Sequence, residues 1–149
     1  MSTDSKSNTV PVREFMIKEI ITVQSYDTIK DVCKKMYAKN ISSAIIIKDN
    51  KPFGIVTYTD IAIAVTNFEK SPNLQISEIM SSKLVSVGPE ESILSVAEKM
   101  TKTNTHHMLV LENDSILGVI SSADLVVILS MLDEDYLFEK VKRYFHSQG

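Results

Sequence analysis

Two stretches carry the residue types best suited to chemistry: Gly54-Ile55-Val56-Thr57-Tyr58-Thr59-Asp60 and Gly118-Val119-Ile120-Ser121-Ser122-Ala123-Asp124. In each, an apolar strand pattern ends at a hydroxyl residue, and a carboxylate follows three positions later where a helix begins. A helix N-terminus offers free N–H groups and a partial positive charge to a phosphate. A carboxylate beside it can accept hydrogen bonds from both hydroxyls of a ribose, as an acidic residue does in dinucleotide sites. The hydroxyl can reach sugar or phosphate, and apolar strand faces can sandwich a purine. The same spacing fits a capping box, which satisfies orphan backbone donors at a helix start. The two roles are compatible.

His106 and His107 are the other chemically suggestive pair. Neighbours on a strand point to opposite faces, so the two are not placed to chelate one metal. With one Cys, and His146 as the remaining histidine, no metal site is expected. The plain reading of this pair is surface or interface histidine. Met36 and Met100 fall on apolar helix faces, where packing is the expected role. Tyr58 suits either base stacking or simple exposure. Lys48, Lys51, Lys83 and Lys102 read as solvated, with one of them a candidate phosphate contact. A Gly-rich phosphate loop, a Cys–His or Ser–His–Asp signature and a spaced metal cluster are all missing, so an enzyme is not expected.

These residues recur because the chain repeats itself. At an offset of 64 residues Glu14 falls on Glu78, Met16 on Met80, Val23 on Val87, Ile29 on Ile93 and Val32 on Val96. The same offset, without a gap, superposes Lys35 on Lys99, Met36 on Met100, Asn40 on Asn104, Gly54 on Gly118 and Asp60 on Asp124. Ten identities in 48 aligned pairs exceed the roughly three expected from ordinary residue usage. Many other pairs are conservative, such as Thr22 with Ser86 and Thr57 with Ser121. The chain is a duplication.

Each copy predicts the order β-α-β-β-α. A β-rich run, Ile20 to Val23 or Leu84 to Val87, comes first. Helix-start chemistry follows: Gly88-Pro89-Glu90-Glu91 places Pro and two acids where a first helical turn favours them, and Ser25 with Asp27 take that role in the first copy. Apolar residues at helical spacing come next, Ile29, Val32, Cys33, Met36 and Tyr37, then Ile93, Val96, Ala97 and Met100. The strands Ala44 to Ile47 and Phe53 to Thr57, and Met108 to Leu111 and Leu117 to Ser121, read as hairpins around polar turns. A last helix begins near Thr59 or Ala123. Copies of about 60 residues bury too little apolar surface to stand alone, so the two must pair.

The expected layout is a mobile tail over 1–9, a first repeat over 10–67, a connector over 68–75 and a second repeat over 76–132. An amphipathic helix over 133–149 closes the chain, with Tyr136, Leu137, Val141, Tyr144 and Phe145 at helical spacing.

Composition supports a soluble globular protein. The 149 residues are 44% hydrophobic and 23% charged, with one Cys and no Trp. A lone cysteine forms no internal disulfide, and the polar N-terminus lacks a signal core, so a reducing cytoplasm is the expected compartment. Apolar runs such as Leu125 to Leu129 are far shorter than a bilayer span. Sixteen Lys and Arg against nineteen Asp and Glu give a formal charge of −3, which disfavours nucleic acid as the main partner.

The duplicated unit, with Gly-h-h-[Ser/Thr]-x-x-Asp near its end, resembles the cystathionine-β-synthase (CBS) domain pair over about Val12 to Leu129. The resemblance implies a mixed α/β (α+β) fold of two pseudo-symmetric β-α-β-β-α repeats packed through their sheets into one module. Clefts between the repeats would bind an adenosine-containing ligand. It implies that Asp60 and Asp124 bind ribose, with Thr57 and Ser121 supporting ribose or phosphate. Each cleft would borrow from the other repeat: Thr22 and Ser42 or Ser43 with Asp124, Ser86 and His106 with Asp60. The family often carries a basic residue before the second strand, where this chain has His106-His107 in one copy and Ser42-Ser43 in the other. A histidine is only partly charged near neutral pH, so phosphate binding there would weaken as pH rises. The cleft of Asp124 with His106 and His107 is therefore favoured, and that of Asp60 is expected to be weaker, empty, or suited to a less charged ligand.

The implied function is a stand-alone regulatory module that binds AMP, ADP or ATP, needs no cofactor for chemistry, and signals to an unknown protein by conformational or homodimer change. An S-adenosylmethionine sensor and a purely structural interaction module with degenerate clefts are the alternatives.

Overall fold

A computed structural model describes residues 9–81 and 84–132. Of the expected N-terminal tail only Thr9 is among them, and the expected closing helix over 133–149 lies outside them. The chain divides into two compact units, one of Glu19–Leu84 and one of residues up to Lys18 together with those from Val85 onward.

In the first unit β1 (Thr22–Gln24), α1 (Ile29–Lys39), β2 (Ser43–Lys48), β3 (Lys51–Thr57) and α2 (Tyr58–Thr66) follow in order, and a single 3₁₀ turn spans Ile76–Glu78. The three strands form one sheet in the order β1-β2-β3, with β1 parallel and β3 antiparallel to β2. The second unit repeats this with β4 (Ser86–Val87), α3 (Ile93–Thr103), β5 (His107–Glu112), β6 (Ser115–Ser121) and α4 (Ser122–Leu132), and its 3₁₀ turn is Val12–Glu14. Its sheet order is β4-β5-β6, with the same directions. The fold is the expected mixed α/β one.

Local chemistry accounts for these elements. Asp49 and Asn50 both have positive φ, 52° and 64°, and form the two-residue turn between β2 and β3. Asn113 and Asp114, at 51° and 67°, do the same between β5 and β6. Such turns match the twist of the strands they join, and Asn and Asp tolerate the left-handed region. Asn40 and Asn104 end α1 and α3 in that conformation, φ 53° and 52°, each donating its N–H back to the last turn. The apolar stripe Ile29, Val32 and Met36 faces the sheet residues Val23, Ile46 and Val56, and Ile93, Val96 and Met100 face Val87, Val110 and Ile120.

The helix starts differ from the sequence expectation. Pro89, Glu90 and Glu91 precede α3, whose N-cap is Ser92, accepting from Ser95 N at 3.1 Å. Likewise Thr28 caps α1, accepting from Asp31 N at 3.1 Å. The acids serve the turn before the helix: Asp27 Oδ2 accepts from Gln24 N, and Glu91 Oε2 accepts from Gly88 N, both at 2.8 Å. Their carbonyls are committed elsewhere, Asp27 O accepting from Ile76 N and Glu91 O from Val12 N, both at 2.7 Å. With side chain and carbonyl both held, residues 27 and 91 stay outside the helix.

Those last bonds reveal an exchange. The strap around Val12 covers the later strands of the second unit, with Ile93 N donating to Val10 O and Ile17 bridging Val119. The strap around Ile76 covers the first unit, with Ile29 N donating to Leu74 O and Ser81 bridging Ile55. Val12 and Ile76 are both fully buried in those cores. Each compact unit thus takes its strap from the stretch that precedes the other sequence copy.

Candidate functional site

α2 begins where β3 ends, so the chain turns sharply at Thr57. Its Oγ1 accepts from Asp60 N at 3.2 Å, and Asp60 Oδ2 accepts from Thr57 N at 2.9 Å. In the second unit Ser121 Oγ accepts from Asp124 N at 3.1 Å, and Asp124 Oδ2 accepts from Ser121 N at 3.0 Å. Both capping boxes implied by the spacing are present. Each cap occupies one carboxylate oxygen of a half-buried aspartate. Oδ1 of Asp60 and of Asp124 accepts no hydrogen bond among the described residues, and stays available as an acceptor.

The sequence treated these helix starts as sources of free N–H groups, and here the structure differs. Besides the two amides in each box, Tyr58 N donates to Ser42 O at 3.2 Å and Ser122 N to His106 O at 2.9 Å. Most first-turn donors are already engaged, so less of the helix start remains for an anion.

The same bonds gather the other candidates by unit. The Ser42 carbonyl ties the start of β2 to α2, and Ser43 sits opposite Thr57 in the ladder. Thr22, exposed at the start of β1, pairs with Ile45 at the same end of the sheet, and Lys35 Nζ donates to its carbonyl at 2.8 Å. In the second unit His107 sits opposite Ser121, the exposed His106 places Nδ1 3.5 Å from Ser122 Oγ, and Ser86 begins β4 with its carbonyl 3.2 Å from Lys99 Nζ. Thr22, Ser42, Ser43, Thr57 and Asp60 therefore share one sheet end, and Ser86, His106, His107, Ser121 and Asp124 share another in the other unit. The remaining lone candidates are plain: Tyr58, Lys51 and Lys102 are exposed, Lys48 lies 4.8 Å from the Phe53 ring centroid, Met36 and Met100 are fully buried, and Lys83 lies outside the described residues.

A hollow of about 260 Å³ lies beside Asp60 in the first unit. Ile63, Ala64 and Ile79 give it apolar walls, and Phe68, Lys70 and Glu78 complete the lining. Sequence reasoning passed over Phe68 and Lys70 because they lie in a stretch that reads as a connector. Lys70 N in fact donates to Ala64 O at 2.9 Å, folding that stretch back on α2. Among the described residues, no three His, Cys, Asp or Glu side chains gather as metal ligands, and no helix is long and apolar enough to cross a membrane.

The CBS domain family profile matches residues 12–67 and 76–130, and the chain belongs to this family. Protein MJ1232 of Methanocaldococcus jannaschii is 26% identical over 122 residues, which span 81% of this chain and 40% of that protein. The chain thus covers less than half of that relative. The hexameric CBS-CP12 protein from bloom-forming cyanobacteria is 30% identical with a TM-score of 0.71, covering 78% of this chain and 69% of that one. The CBS domain pair of protein MJ0100, solved in complex with 5′-methylthioadenosine and S-adenosyl-L-methionine, is 26% identical with a TM-score of 0.72, over 83% of this chain and 98% of that one. The chain is accordingly a tandem CBS domain pair, a regulatory type of module.

Proposed function

We propose that this CBS pair is a sensor of an adenosine-containing ligand, with Asp60 and Asp124 as ribose acceptors and Thr57 and Ser121 supporting sugar or phosphate. The observation that carries the reading is the open Oδ1 of each aspartate, on a carboxylate whose other oxygen is locked to the backbone at 2.9 and 3.0 Å. A locked carboxylate loses little freedom when it binds. Thr22, Ser42, Ser43 and Ser86 supply further hydroxyls in this reading, and His106 and His107 ring nitrogens as hydrogen-bond donors for a phosphate. AMP, ADP and ATP are the first ligands to try. S-adenosylmethionine joins them because MJ0100 was solved with it.

Signalling requires that the ligand bind two conformations, or two association states such as monomer and homodimer, with different affinity. No catalytic step is assigned to any residue, and the regulated protein is of unknown identity. The completed capping boxes favour a second reading, in which both aspartates are structural and the module serves only as an interaction surface. Calorimetric titration of the wild type, Asp60→Ala and Asp124→Ala with the four ligands tests both. Loss of affinity on substitution supports the sensor, while lost stability with no heat of binding in any protein sinks it.

A further inference from the structure

Building on Asp60 as a ribose acceptor, we propose that the hollow beside it selects its ligand by charge, taking an adenine nucleoside with a neutral or cationic 5′ substituent and rejecting polyphosphates. Its volume of about 260 Å³ falls below the roughly 300–1,000 Å³ of pockets for drug-sized ligands, which suits a nucleoside-sized group. Ile63, Ala64 and Ile79 offer apolar contact, and the ring of Phe68, 67% exposed, offers a face for stacking.

The charges decide the rest. Among the described residues that line the hollow, Asp60 and Glu78 are acidic and Lys70 is basic, so their formal charges sum to −1. The helix start adds little for an anion. Thr57 N and Asp60 N close the capping box, and Tyr58 N is bonded to Ser42 O. A triphosphate would bring several negative charges to a rim that already carries an excess of them. A cationic 5′ group meets the opposite field, and a neutral one meets no penalty.

The test uses the full chain carrying Asp124→Ala, so that Asp60 is the remaining proposed ribose acceptor. Adenosine, 5′-amino-5′-deoxyadenosine and ATP are titrated by calorimetry, with circular dichroism verifying the fold of every variant. Adenosine and the amine are expected to bind more tightly than ATP. Glu78→Lys, a change at an exposed side chain, is expected to raise the ATP-to-amine affinity ratio at least about tenfold, more so at low salt. Binding that is lost on adding Asp60→Ala but ignores Glu78→Lys, or that favours ATP from the start, overturns the charge selection alone. Binding of none of the three, or binding indifferent to Asp60→Ala, overturns the ribose reading and this proposal with it.

Discussion

Gly54 and Met80 are fitted to one another across the first unit: a Cβ on Gly54 would stand 2.8 Å from Met80 Sδ and 2.7 Å from the Ser81 carbonyl oxygen. Gly118 meets Ile17 O at 2.7 Å and Met16 Sδ at 3.0 Å in the same manner. The straps lie directly on these glycines, and the blocking oxygen is backbone, so it cannot swing aside. Gly54→Ala and Gly118→Ala are expected to destabilise the protein by about 1–3 kcal/mol each, as overpacking does. Chemical denaturation measures this. Adding Met80→Ala to Gly54→Ala should restore only part of the loss, because Ser81 O remains in the way.

The aspartates combine a cap with a free acceptor, and substitution can separate the two. Alanine removes both and is expected to cost about 1 kcal/mol of stability at either position. Asparagine keeps an oxygen for the Thr57 or Ser121 amide and replaces the open Oδ1 with a donor. Asp60→Asn and Asp124→Asn should therefore stay within a few tenths of a kcal/mol of wild type while weakening binding of the proposed adenosine ligand. Equal losses of stability for Asn and Ala would show that the cap depends on the charge.

Lys35 and Lys99 each reach a carbonyl at the start of the first strand of their sheet, Thr22 O and Ser86 O. The first is exposed and the second half-buried. Replacing either with Met retains the apolar stem and removes the donor. The expected cost is about 0.5–1.5 kcal/mol, larger for Lys99→Met because its bond is less solvated. A thermal melt in which Lys35→Met is the more damaging change would contradict this ordering.

Burial pushes the Cys33 thiol up from its ordinary range. The folded state thus favours the neutral thiol, and this contribution is complete at pH values below the thiol range of the unfolded chain. It fades as pH rises through that range, since only the unfolded chain then ionises readily. Alkylation by iodoacetamide should be slower in the native protein than in urea at the same mildly alkaline pH, by mass spectrometry. A native rate equal to the unfolded one would refute the assignment.

The offset of 64 residues was enough to read the fold, because most of the identical pairs mark places where the backbone or core admits few residues. Met36 and Met100 fill cores, Asn40 and Asn104 adopt left-handed caps, and Asp60 and Asp124 close capping boxes. The strap exchange left no local pattern, since Val12 packs on residues far along the chain. Its trace was in the list of identities all the same, in the pairing of Met16 with Met80 and Gly54 with Gly118, which touch across the exchange. The acids at 27, 90 and 91 misled because turn acids and helix-start acids have the same composition, and only their hydrogen bonds tell them apart. Candidate site residues could be named where one short motif holds them. Phe68, Lys70 and Glu78 were not, because they converge on Asp60 only after the connector folds back.

The exchanged straps bear on how such a chain arose. A single copy cut out between Asn67 and Gln75 keeps its three strands and both helices, yet loses the piece that seals them and carries one shaped for its sibling. Its natural remedy is a second identical molecule, each lending what the other lacks. An ancestor of half the length would then work as an obligate pair, and duplicating and fusing its one gene would turn a concentration-dependent partnership into a permanent one.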